Sequence, residues 1–151
     1  MQHSRRPSVL PLVALLAALA LPACGDDSPA GPPTQESVAG VYQISAGRSG
    51  AVLEVTQIGQ TTDYLAAGAT ARLELEADGT TTGRLFVPSG GDDGGDFDAD
   101  LAGTWTLQGD TVRLSHAADT FLRDMPLVVS RNSLAGDRTF SGIHVRIVLV
   151  R

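Results

Sequence analysis

Five carboxylates crowd into the twelve residues from Ser89 to Asp100: Asp92, Asp93, Asp96, Asp98 and Asp100. Hard oxygen ligands at alternating positions suit a divalent cation, and Asp96, Asp98 and Asp100 are the set that would converge on Ca2+. The spacing departs from a helix–loop–helix calcium site, because Leu101 stands where the turn glycine belongs and Leu107 where the bidentate Glu belongs. Like charges on one face of a strand repel when no ion lies between them. The competing reading is therefore a solvated Gly/Asp loop between two strands. His116 and His144, with a carboxylate such as Asp119, would make a partial zinc site, but they lack paired-ligand spacing and read as surface histidines. Gly47-Arg48-Ser49-Gly50 is too short for a nucleophile elbow, no glycine-rich phosphate loop separates a strand from a helix, and Cys24 is the sole thiol. The expectation is a non-enzymatic chain without a cofactor. Trp105, the sole Trp, would line a cavity for a small apolar ligand together with Tyr42, Phe86 and Phe140. The same four side chains would equally serve to fill a small core.

The elements that must position these residues have a period of two. Thr70 to Glu76 alternates polar with apolar residues, Asp78-Gly79 turns the chain, and Leu85 and Val87 share a face in Thr80 to Val87. Gly103 to Leu107 and Thr111 to Ser115 repeat the pattern around Gly109-Asp110, with Trp105, Leu107, Val112 and Leu114 facing one way. From Ile143 onward, Ile143, Val145, Ile147 and Leu149 oppose His144 and Arg146. Further strands are expected over Gly40 to Ser45, Ala51 to Ile58, Met125 to Ser130 and Leu134 to Phe140. Phe121 to Pro126 is the least strand-like apolar stretch and reads as a loop or turn capping one end. The result is an all-β chain of about eight antiparallel strands with no amphipathic helix between them. Closure into an up-and-down barrel removes the exposed edges, and a two-sheet sandwich is the alternative.

The 151 residues carry a net charge of −6, with 11 Arg and no Lys. No basic stripe is present to contact phosphates, so nucleic acid is set aside as a partner. Arg5 and Arg6 precede an apolar run from Val9 to Leu21, too short for a comfortable membrane span, and a small residue precedes Cys24. Leu21-Pro22-Ala23-Cys24 resembles the lipobox of a bacterial lipoprotein signal, matching at Leu21, Ala23 and Cys24, with Pro22 the departure. The resemblance implies cleavage before Cys24 and lipidation of its thiol, which would account for a single unpaired cysteine in an exported chain. Removal of residues 1–23 would take the charge from −6 to −8. Residues 24–37 then read as a lipidated Cys and a flexible tether, rich in proline, that reaches at most roughly 40 Å. Residues 38–151 form the folded body.

Gly40-Val41-Tyr42, Leu73-Glu74-Leu75 before Asp78-Gly79-Thr80, and Gly103-Thr104-Trp105 before Gly109-Asp110-Thr111 together resemble small bacterial lipocalin-like lipoproteins. That resemblance implies a small barrel anchored in the cell envelope through its N-terminal Cys. Gly25, in place of an Asp after the Cys, favours the outer membrane over the inner. The expected partners are the membrane and a small apolar ligand held by burial of apolar surface. The alternative is a protein-interaction or structural module of the envelope with a solid barrel.

Overall fold

The computed structural model describes residues 31–91 and 93–151. The stretch read as a signal peptide, Cys24 and most of the stretch read as a tether lie outside the described residues. The first element among the described residues is a single helical turn, α1 (Gln35–Val38), closed by a reciprocal cap in which the Thr34 and Ser37 side chains each accept from the other's backbone N–H. Apart from Val38, α1 falls within the stretch read as tether.

Eleven strands follow: β1 (Gly40–Ile44), β2 (Val52–Gln57), β3 (Gln60–Asp63), β4 (Thr70–Leu75), β5 (Thr80–Val87), β6 (Phe97–Asp100), β7 (Gly103–Gln108), β8 (Thr111–His116), β9 (Leu127–Ser130), β10 (Ser133–Phe140) and β11 (Ile143–Val150). A second helical turn, α2 (Phe121–Asp124), lies between β8 and β9. Every pairing is antiparallel, and β1-β4-β5-β7-β8-β9-β10-β11 returns to β1 through Gln43 opposite Val150, closing an eight-strand barrel. The fold is all-β, a small lipocalin-like barrel rather than a sandwich.

The ring departs from sequence order at one place. β1 pairs with β4, while the β2–β3 hairpin leaves the ring and β2 pairs with β11 from His144 to Val148. Thus β1 and β2 share one edge of β11 end to end, as β7 and β6 share one edge of β5. Each expected strand appears with its bounds shifted by two residues at most, and β3 and β6 are additional to those expected. The Phe121–Pro126 stretch contains a helical turn because the Thr120 side chain caps it at Arg123 N–H.

Inward positions follow the period of two. Leu73 and Leu75 of β4, Leu85 of β5, Val112 of β8, Leu134 of β10, and Ile147 and Leu149 of β11 are almost completely buried. Each buried aliphatic side chain of this size contributes on the order of 2 kcal/mol. Gly83 of β5 has a positive φ and sits so close to β4 that a Cβ would strike the Arg72 carbonyl. This position allows the two strands to pack without a bulge of side chain between them.

The registers define two ends. At the floor lie Gly40, Leu75, Gln108, Ser133 and Val150; at the mouth lie Gln57, Val87, Phe97, Phe140 and Ile143. α1 plugs the floor. Val38 is 1% exposed, its carbonyl accepts from Tyr42 Oη at 2.7 Å, and the Arg151 guanidinium donates to the Val38 and Ala39 carbonyls while lying 5.0 Å from the Tyr42 ring. Among the described residues, the core and both helical turns fall between Thr34 and Arg151, and the barrel closes on itself within this stretch.

Candidate functional site

The mouth is not filled as the floor is. Val55 on β2, Tyr64 after β3, Phe97 at the start of β6, Phe121 on α2, Phe140 at the end of β10 and Ile143 at the start of β11 are half-buried and pack against the core from one side. They surround a cup of about 440 Å³ whose bottom is formed by buried Leu53, Val87 and Val145. That size suits a small organic ligand. The chain holds four Phe, two Tyr and one Trp, and three Phe and one Tyr meet in this cup. Two other depressions, of about 520 and 530 Å³, lie toward the floor end. The first is lined by Arg48, Ser49 and Asn132 among others, and the second lies between Pro32-Pro33 and Arg131 with Tyr42 as its single aromatic residue, so neither gathers aromatic surface as the mouth does.

The four aromatics expected to share a cavity are placed apart. Only Phe140 lines the cup. Tyr42 is 2% exposed at the floor, where its hydroxyl is spent on Val38 and burial pushes its pKa above 10.0 against the opposing pull of Arg151. Trp105 is equally buried, and its indole N–H donates to the Glu76 carbonyl at 2.8 Å, tying β7 to the β4–β5 turn. Phe86 lies on the outer face, because its neighbours Leu85 and Val87 take the inward positions. Tyr64, Phe97 and Phe121 were not foreseen as cup residues. The one signal for Phe121 was that its segment broke the strand pattern near a barrel end.

The Asp-rich segment is a hydrogen-bonded loop running into β6. Asp96 accepts from Ser89 N–H at 3.0 Å, Asp98 takes two hydrogen bonds from Arg84 at 2.6 and 2.5 Å, and Asp100 accepts from Ala102 N–H at 2.8 Å. The Arg84 guanidinium holds the Asp98 carboxyl below the usual range, chiefly through that hydrogen bond. Each carboxylate is thus engaged separately, and among the described residues no group of three His, Cys, Asp or Glu is placed to hold a metal. The loop reading fits only as far as Asp96, because Phe97–Asp100 forms strand β6 and places Asp98 and Asp100 on its exposed face.

The two histidines differ in environment. His144 meets Asp137 at 2.6 Å on the exposed side of β11. His116 corrects the surface expectation: it ends β8, is 8% exposed, and its Nε2 lies 2.7 Å from Thr120 Oγ1. Its Nδ1 is buried without a partner. It turns inward because it continues the inward positions Val112 and Leu114. Burial, reinforced by the Arg123 charge, pushes its pKa below 6.5, with Asp124 and Asp100 pulling the other way.

Thr120, Phe121 and Asp124 of the α2 segment all line the cup, with Asp119 at the rim. Arg123 binds Asp119 at 2.5 Å and Asp124 at 3.2 Å, so the two rim carboxylates are engaged by one guanidinium. What this arrangement can do chemically is bury an apolar body against aromatic faces. No family model, curated protein or solved structure matches the chain.

Proposed function

We propose that this chain is a lipid-anchored protein of the bacterial cell envelope that binds a small apolar ligand in the cup at the mouth of its barrel. The observation that carries the reading is the convergence of Tyr64, Phe97, Phe121 and Phe140, half-buried, around one cavity of about 440 Å³. Large apolar side chains left partly wet in a small domain are stabilising once a ligand covers them. The anchor is Cys24, through the lipobox-like Leu21-Pro22-Ala23-Cys24, and the outer membrane is the favoured address. Because α1 enters at the floor, a tether of this length would hold the floor toward the bilayer and turn the mouth away from it. The protein would then receive its ligand from the aqueous side.

The test is binding of N-phenyl-1-naphthylamine, a neutral dye that brightens in apolar surroundings, to residues 31–151. Saturable one-to-one binding is expected, displaced by apolar competitors. Dye that stays dark at all concentrations would overturn the reading.

A second reading, an interaction module for another envelope protein, is favoured by the β2–β3 hairpin. Among the described residues β3 pairs only with β2 and is exposed throughout, leaving an open strand edge, and Ile58 at the hairpin tip is 95% exposed with a positive φ. A β-branched residue in that conformation is strained, and such an edge can accept an added strand. Crosslinking from residue 61 in native membranes, capturing one specific partner, would favour this reading.

A further inference from the structure

We propose that the contact between His116 and Thr120 is an acid-sensitive latch that holds α2 in place as a wall of the cup, keeping the cup formed near neutral pH and loosening it in mild acid. The inference rests on the apolar-ligand reading above, since it concerns how that same site is regulated.

α2 is a single turn, and the Arg123 N–H at its start is shared between the Thr120 carbonyl, at 3.2 Å, and the Thr120 hydroxyl. Thr120 Oγ1 accepts from Arg123 N–H at 3.3 Å and meets His116 Nε2 at 2.7 Å, so the cap of the turn is tied to the end of β8. Thr120 and Phe121 line the cup, whereas Leu122 and Met125 are buried in the barrel. Movement at the cap therefore moves a wall of the site directly.

Neutral His116 fits its surroundings as the Nε2–H tautomer. Nε2–H then donates to the Thr120 hydroxyl oxygen and Nδ1 is a bare acceptor, whereas the other tautomer would leave Nδ1–H a buried donor without an acceptor. Imidazolium does not fit as well. Both ring nitrogens then carry hydrogen, and Nδ1–H is a buried donor on a cation with no acceptor. The charged groups facing the ring are Arg123 and Asp124 from α2 and Asp100 from β6, while Asp119 is already bound to Arg123. Desolvation outweighs the two carboxylates, so the ring resists protonation while the latch is shut.

Linkage gives the direction. An opened ring, wet, takes up a proton near the ordinary value of 6.5, whereas the latched ring does so only at lower pH. The latched state is therefore fully favoured above 6.5 and loses stability as pH falls below it, by at most about tenfold for each pH unit.

The experiment titrates residues 31–151 with N-phenyl-1-naphthylamine at pH 7.5 and pH 5.0, and follows amide protection at Arg123 by hydrogen exchange. Wild type is expected to bind several-fold more weakly at pH 5.0 and to lose protection at Arg123. His116→Gln should bind at both pH values with one affinity, while His144→Gln keeps the wild-type dependence. Thr120→Ala, which retains the histidine, should bind weakly at both and serves if His116→Gln does not fold. Equal wild-type affinity and protection at both pH values, or an undiminished pH dependence in His116→Gln, would overturn the latch. Should the dye fail to bind at any pH, the ligand reading falls, and the Arg123 protection factor alone decides the latch by the same outcomes.

Discussion

Tyr42 shows how one side chain can be mistaken for a ligand contact. Its hydroxyl meets the Val38 carbonyl, which also accepts from Arg151 at 2.8 Å. Tyr42→Phe should therefore cost only about 1 kcal/mol by chemical denaturation, because the carbonyl keeps its second donor. Burial raises the Tyr42 pKa, so the protonated form favours the folded state. Stability is unaffected below 10.0 and falls as pH rises past it, and Tyr42→Phe should blunt that alkaline loss in a pH series of thermal melts. The sequence could not tell Tyr42 from Phe140, since both are aromatic residues on inward-facing strands. What separates them is which end of the barrel they reach, and that depends on register. The same holds for His116, whose burial follows from its place in the β8 alternation but whose orphaned nitrogen depends on the distant α2.

At the scale of elements, the β4–β5 hairpin was legible in full: Thr70 to Glu76, Asp78-Gly79 and Thr80 to Val87 appear as read, because turn chemistry and alternation agree. Its sensitive point is Gly83. Gly83→Ala forces a Cβ toward the Arg72 carbonyl at a positive φ, and should destabilise the domain by about 2–3 kcal/mol in thermal or urea unfolding. The β2–β3 excursion was not legible. Gln57-Ile58-Gly59-Gln60 carries hairpin grammar, but nothing local says that β2 will lie beside β11 while β4 takes the place next to β1. The α2 turn was half legible: the segment broke the strand pattern, but its cap by Thr120 became evident only in three dimensions.

For the whole molecule, the barrel is solid at the floor and open at the mouth, and the strand registers orient these two ends. The closed ring was foreseeable from antiparallel strands that need partners for their edges. The cup was not, because two of its four aromatics, Tyr64 and Phe121, lie outside the strands, and Phe97 opens a strand, β6, that the sequence did not announce. If Cys24 carries the anchor, Cys24→Ser should release the protein from the membrane fraction on fractionation, leaving the fold of residues 31–151 unchanged by circular dichroism. Within the cup, Phe140→Ala removes a half-buried ring and should weaken dye binding by about fivefold, roughly 1 kcal/mol, with little loss of secondary structure. The most direct test of the central claim is a two-dimensional NMR titration of residues 31–151 with N-phenyl-1-naphthylamine. Saturable shifts confined to the mouth, at Val55, Phe97, Phe121, Phe140 and Ile143, are predicted; no saturable shifts, or shifts centred on Tyr42 and Arg151 at the floor, would contradict it.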